Sequence, residues 1–155
     1  SDFQCITWFH DDKGQLPAKV TLNLDVSVNR SGYDISKITS FAGWRGGEQA
    51  DQIMTVEYSV VGREGWTQLG SGAFSYTAPG PRQYSRIVLS EDASGYLATG
   101  VDALRFSYAD SGNHLLLQEI DVEGVPHKVD IPEPTALGLL SGLMALGSVM
   151  VRRRR

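Results

Sequence analysis

Cysteine is nearly absent from this chain: Cys5 stands alone among 155 residues, so no internal disulfide can form and the fold must rest on its apolar core. Cys5 itself reads as a small buried apolar residue, with an intermolecular bridge as the alternative. Helical patterning is missing too. Before residue 135 no window carries a sustained 3.6-residue apolar period with caps, which excludes a helical bundle and any alternating β-α architecture. The motifs of common chemistries are also lacking: there is no H-E-x-x-H, no G-x-S-x-G, no phosphate-cradling glycine loop, no C-x-x-C and no complete calcium loop. His10, His114 and His127 are scattered and read as loop or surface residues. Carboxylates such as Asp51, Glu57, Asp110, Glu119 and Asp121 read as outward-facing strand or turn positions, although a pair brought to glycosidase spacing by the fold stays open. The expectation is a protein that is not an enzyme.

Positive charge is scarce outside one place. The whole chain carries a formal charge of −4, but removing Arg152, Arg153, Arg154 and Arg155 leaves 10 basic against 18 acidic residues, or −8. An acidic exterior of that kind argues against nucleic acid and against an anionic lipid surface as partners. The 131 residues before position 132 are enough for one domain with a real core and too few for two.

What the chain does have is alternation. From Lys19 to Val28, Val20, Leu22, Leu24, Val26 and Val28 share one face against Thr21, Asn23, Asp25 and Ser27, which predicts a half-buried antiparallel strand. Cys5 to Phe9 is a weaker strand before it. Ile35, Ile38 and Phe41 are spaced for a bent strand over 35–44. Met54, Val56, Tyr58 and Val60 alternate over 53–60. Shorter strands follow around Trp66 to Leu69, Phe74 to Tyr76 and Arg86 to Leu89. A connection over 91–100 then leads to a strand over 103–109 with Leu104, Phe106 and Tyr108 inward, and to a last strand over 115–123. Trp8 and Trp66 read as core. Turn residues recur every eight to twelve positions, so seven or eight short strands predict an all-β antiparallel sandwich or jelly roll over 1–124, followed by a linker over 125–131.

The end of the chain is of another kind. Pro132, Glu133 and Pro134 precede an uncharged, proline-free run over 135–151, and Arg152 to Arg155 close the sequence. As a helix the run would be about 25 Å long, near the lower limit for a membrane span. The arginines resist translocation and act as a membrane stop, so the body is expected outside the inner membrane. Proline-Glu-proline, a short Leu/Gly/Ala helix and a terminal arginine cluster, in that order, resemble the PEP-CTERM sorting signal of Gram-negative bacteria. The resemblance implies an exosortase-type sorting enzyme as partner, Pro132, Glu133 and Pro134 as its recognised motif, transient residence in the inner membrane, and removal of the tail on the way to the cell surface or beyond. A plain membrane anchor is the competing reading. The chain begins at Ser1 without a methionine or a basic-then-apolar leader, and a sorting tail needs export, so a mature form or a C-terminal fragment is expected.

A second resemblance is carried by Tyr33-Asp34-Ile35-Ser36 with the stretch from Ile38 to Trp44, by Gln52 to Ser59, and by the stretch from Gly100 to Val122. Together they resemble discoidin-type, galactose-binding-like domains over roughly residues 20–124. The terminal disulfide common in that family is impossible with one cysteine, and specificity does not follow from a fold. In such a sandwich the loops over 43–51, 78–84 and 109–114 cluster at one end. There Trp44 beside Arg45 offers a flat apolar ring and a forked donor for a sugar, while the plainer reading has Trp44 plugging the core. Asp110, Asn113 and the carbonyls around Gly112 could hold Ca²⁺, although turn formation also explains them. No other cofactor is expected. The sum is an exported, non-enzymatic module that contacts extracellular polysaccharide or surface proteins. The alternative is an accessory C-terminal domain of a larger envelope hydrolase.

Overall fold

A computed structural model describes residues 18–43, 50–77, 84–91, 95–109 and 115–129, and residues 4–9 by their backbone alone. Nine strands run through them: β1 (Gln4–Phe9), β2 (Ala18–Asn23), β3 (Tyr33–Gly43), β4 (Gln52–Val60), β5 (Thr67–Gln68), β6 (Phe74–Tyr76), β7 (Tyr84–Ser90), β8 (Ala98–Tyr108) and β9 (Leu115–Pro126). Every pairing is antiparallel. Among the described residues there is no helix, and so none long and apolar enough to cross a membrane. The run over 135–151, with the flanking Pro132, Glu133, Pro134 and Arg152 to Arg155, lies outside the described residues.

Two long strands organise the rest. β3 lies between β9 and β7, with Ile38 opposite Val122 on one side and Leu89 on the other. β8 lies between β2 and β4, with Phe106 opposite Val20 and Val56. The first residues of β3 and β8 also pair with each other, Tyr33 with Val101 and Ile35 with Ala98. One continuous hydrogen-bonded surface therefore folds back on itself in a sandwich-like arrangement. β1, β9, β3 and β7 form one layer; β2, β8 and β4 form the other, with β5 and β6 on the outer edge of β4.

Alternation explains the core. On β8, Leu104, Phe106 and Tyr108 are 1%, 0% and 0% exposed while Arg105 and Ser107 turn outward, and Met54 and Val56 of β4 pack beside them. Ile35, Ile38, Ile87, Leu89, Leu117 and Ile120 come from the facing layer. Each such side chain, taken fully out of water, contributes about 1.5–3 kcal/mol. Ile35 and Ile38 are three apart, which a regular strand would send to opposite faces; a register shift between Ile35 and Lys37 lets both point inward. From Ile38 onward plain alternation puts Ser40 and Ala42 on the buried face and leaves Phe41, expected inward, half-exposed.

Three strand expectations need correction. β2 stops at Asn23, and Val28 is 77% exposed, because the Asp25 carboxylate accepts hydrogen bonds from the backbone N–H of Ser27 (2.9 Å) and its hydroxyl (2.6 Å) and closes a local turn. β8 starts at Ala98, inside the expected connection, since Ile35 supplies it with a partner. β9 continues through the first residues of the expected linker: Val125 pairs with Asp34 and Pro126 with Tyr33.

Candidate functional site

The end of the sandwich where β3 and β8 begin and β9 finishes is built from turns that glycine makes possible. Gly32 donates to the Asn29 carbonyl (2.8 Å) and sits at φ +81°, so the chain doubles back before β3. A Cβ there would lie 2.6 Å from the backbone of Gly100, so two strand starts meet with no side chain between them. On the neighbouring corner Arg63 donates its backbone N–H to the Val60 carbonyl (3.0 Å), and Val61 donates to the Gly100 carbonyl (3.0 Å). Arg30 and Arg63 thus project from two turns that are tied, one on each side, to the same stretch of β8.

A buried carboxylate locks the junction. One oxygen of Asp34 accepts the Gly100 N–H (3.1 Å) and faces Nδ1 of His127 at 2.6 Å, while the backbone N–H of His127 reaches the Gly32 carbonyl (2.9 Å). The Asp34 side chain is about one-tenth accessible and would be costly to bury without these partners. Because Nδ1 is committed to Asp34, Nε2 is the ring nitrogen left for anything that enters from outside. The imidazole is oriented by the fold.

These residues line a groove of about 450 Å³, with Arg30 and Ser31 from one turn, Tyr58 and Arg63 from the other side, Thr99 from β8, and His127 after β9. Its side chains supply mostly hydrogen-bond donors. Elsewhere two cations are neutralised: Lys37 pairs with Glu123 at 2.5 Å, and Arg105 makes a two-pronged contact with Glu57, both bonds 2.8 Å, whereas Lys19, Arg86 and Lys128 stand singly on the surface. Among the described residues, Arg30 and Arg63 have no carboxylate within ion-pairing distance.

A second depression of about 300 Å³ opens between the layers, where Leu22 and Leu24 face Ile120 and Val122, and Tyr33 donates to the Asp25 carbonyl across its mouth (2.8 Å). It is mainly apolar. The outer face of β4 and β8 carries a third feature. Arg105 lies over the Trp66 ring, 4.3 Å from its centroid, and Trp66 is 37% exposed. The expectation that Trp66 is core is therefore corrected: the indole is held by the Arg105 side chain on an outward face. The hydrogen-bonded Arg105 keeps the Glu57 carboxyl below its ordinary range, and Glu57 in turn raises Arg105.

The expected ligand residues Trp44 and Arg45, and the expected Ca²⁺ residues Asp110 and Asn113, lie outside the described residues. Among the described residues no three His, Cys, Asp or Glu side chains gather as a metal site. Gly43, Tyr108 and Leu115, which flank those segments, stand at the opposite ends of β3, β8 and β9 from the groove. Sequence reasoning missed the groove because its parts are far apart in the chain. His127 and Asp34 are 93 residues apart, and no local pattern joins them. The one usable signal was Asp34, an aspartate next to the core residue Ile35 at a strand start. Comparison of the chain with known protein families, with curated proteins and with solved structures finds no match.

Proposed function

We propose that this chain is an exported cell-envelope or extracellular-matrix protein: a β-sandwich module without a catalytic role, sorted by residues 132–155, that contacts polysaccharide or surface proteins. The observation that carries the reading is the order of the tail, Pro132-Glu133-Pro134, then seventeen residues without charge, then Arg152 to Arg155. The arginines hold their end in the cytoplasm and leave the body outside. Pro132 and Pro134 lack backbone donors and favour an extended segment, which suits a peptide bound in an enzyme groove just outside the bilayer. The run over 135–151 acts as the temporary transmembrane helix. The backbone and ring of His127 are still bonded to the body, and the motif begins five residues later in the sequence. In the same reading the two antiparallel layers are a jelly roll of the galactose-binding-like kind, which the neighbourhoods of β3, β4, β8 and β9 support.

Pulse-labelling of the chain in its native host, with tags at both ends, tests the proposal. The C-terminal tag is expected to be lost as the body reaches the surface, and Glu133→Ala is expected to keep both tags together in the membrane. A wild-type product that stays uncleaved in the membrane, or intact in the cytosol, overturns it.

A further inference from the structure

We propose that the groove between Arg30, Arg63 and His127 binds the carboxylate of an acidic sugar, so that the polysaccharide contacted by this module is a uronate-bearing one. The inference rests on the reading of the module as a polysaccharide-contacting protein and adds the place and the chemistry. Four observations converge on it.

First, the body before residue 132 has 17 acidic against 10 basic residues, so an anion is repelled by most of its surface, and two guanidinium groups without a carboxylate partner among the described residues, together in one groove, are a departure. Second, a guanidinium is a planar fork whose paired N–H groups match a carboxylate, and among the described residues neither fork is engaged by a carboxylate. Third, the buried Asp34 fixes the His127 ring and directs Nε2 away from itself, which places a third polar contact without a conformational cost on binding. Fourth, the rest of the lining suits a sugar ring better than a bare inorganic ion. Ser31 and Thr99 can exchange hydrogen bonds with ring hydroxyls, and Tyr58 offers an aromatic surface. The volume of about 450 Å³ lies in the range of small-ligand sites.

The turns that carry the two arginines are fixed from below. Val61 and Arg63 are tied to Gly100 and Val60, and Gly32 is tied to Asn29 and His127, so the backbone positions from which the two arginines project are set by hydrogen bonds. Arg30 and Arg63 are exposed, so replacing them should not disturb the fold.

Calorimetric titration of the full chain in detergent micelles with tri-galacturonate, and with the uncharged galactose trimer, tests the assignment. The acidic trimer is expected to bind and the uncharged one to bind at least about tenfold more weakly. Arg30→Ala and Arg63→Ala should each weaken the acidic trimer by about tenfold or more, as loss of a charge-assisted pair does, while Arg30→Lys and Arg63→Lys fall between. Arg86→Ala, an exposed cation on β7, should change nothing. Equal binding of the two trimers, no loss in the Arg30 and Arg63 variants, or the same loss in Arg86→Ala overturns the site. If neutral polysaccharide is still bound in any of these cases, the wider polysaccharide reading survives and only this groove is refuted. If no polysaccharide binds at all, both fall.

Discussion

Gln52 occupies a position that alternation reserves for an apolar side chain, in phase with Met54 and Val56, and it is fully buried. Its amide bridges the two layers: Oε1 accepts from the Ser40 hydroxyl (2.7 Å) and Nε2 donates to the Ser85 hydroxyl (2.6 Å), while Ser40 also meets the Tyr108 hydroxyl (3.0 Å). A polar group in that position is stable only because its partners are there. Gln52→Leu should therefore lower stability by about 1–3 kcal/mol, the cost of leaving a buried hydroxyl without its partner. Adding Ser85→Ala, which removes the orphaned group, should restore part of the loss. Urea unfolding midpoints of wild type, the single variant and the pair check this; a neutral Gln52→Leu would mean that the bridge adds nothing to stability. The sequence did not announce this network. It showed the strand over 53–60 and the serines around it, but nothing local says that Ser40 and Ser85, from β3 and β7, face the same amide. The pairing of Asp34 with His127 was hidden for the same reason.

At the scale of the element, strands were legible wherever side-chain alternation alone decides the structure. β4 and the second half of β8 lie where Met54, Val56, Leu104, Phe106 and Tyr108 put them. Legibility failed where a backbone irregularity or a local hydrogen bond competes. The Asp25 turn cuts β2 short, and a register shift lets β3 bury residues that plain alternation would expose. Glycine marks the most constrained joint. At Gly32 both requirements coincide, a positive φ and no room for a Cβ against Gly100, whereas Gly62 has a positive φ of +72° and open space around it. Gly62→Ala should cost only the conformational strain, about 1 kcal/mol. Gly32→Ala must also push the starts of β3 and β8 apart, and should cost about 2–4 kcal/mol and weaken the groove whose turn it shapes. Thermal melts of the two variants side by side separate the terms. Equal losses would show that the contact with Gly100 is not tight.

For the molecule as a whole, charge sets two opposing fields on the ligand proposed above. The body before residue 132, 10 basic against 17 acidic residues or −7, repels a uronate from most directions, while Arg30 and Arg63 attract it at contact. Salt acts on the two differently. Between 0.15 M and 0.01 M ionic strength the screening length grows from about 8 Å to about 30 Å, which lets the distant carboxylates act on an approaching anion. Contacts made inside the groove are a few ångströms long and are already felt at the higher salt. The expected result is unusual for a cationic pocket: association of tri-galacturonate slows as salt is lowered from 0.15 M to 0.01 M, whereas dissociation changes little because the contacts are shorter than the screening length at both salt concentrations. Stopped-flow measurement of both rates at the two salt concentrations checks it. A rise in the association rate at low salt would mean that the approaching ligand feels the two arginines more than the acidic body. The same rates measured for Arg63→Ala then tell which field governs: if the body dominates approach, the variant changes mainly dissociation, and if the groove dominates, association falls with it.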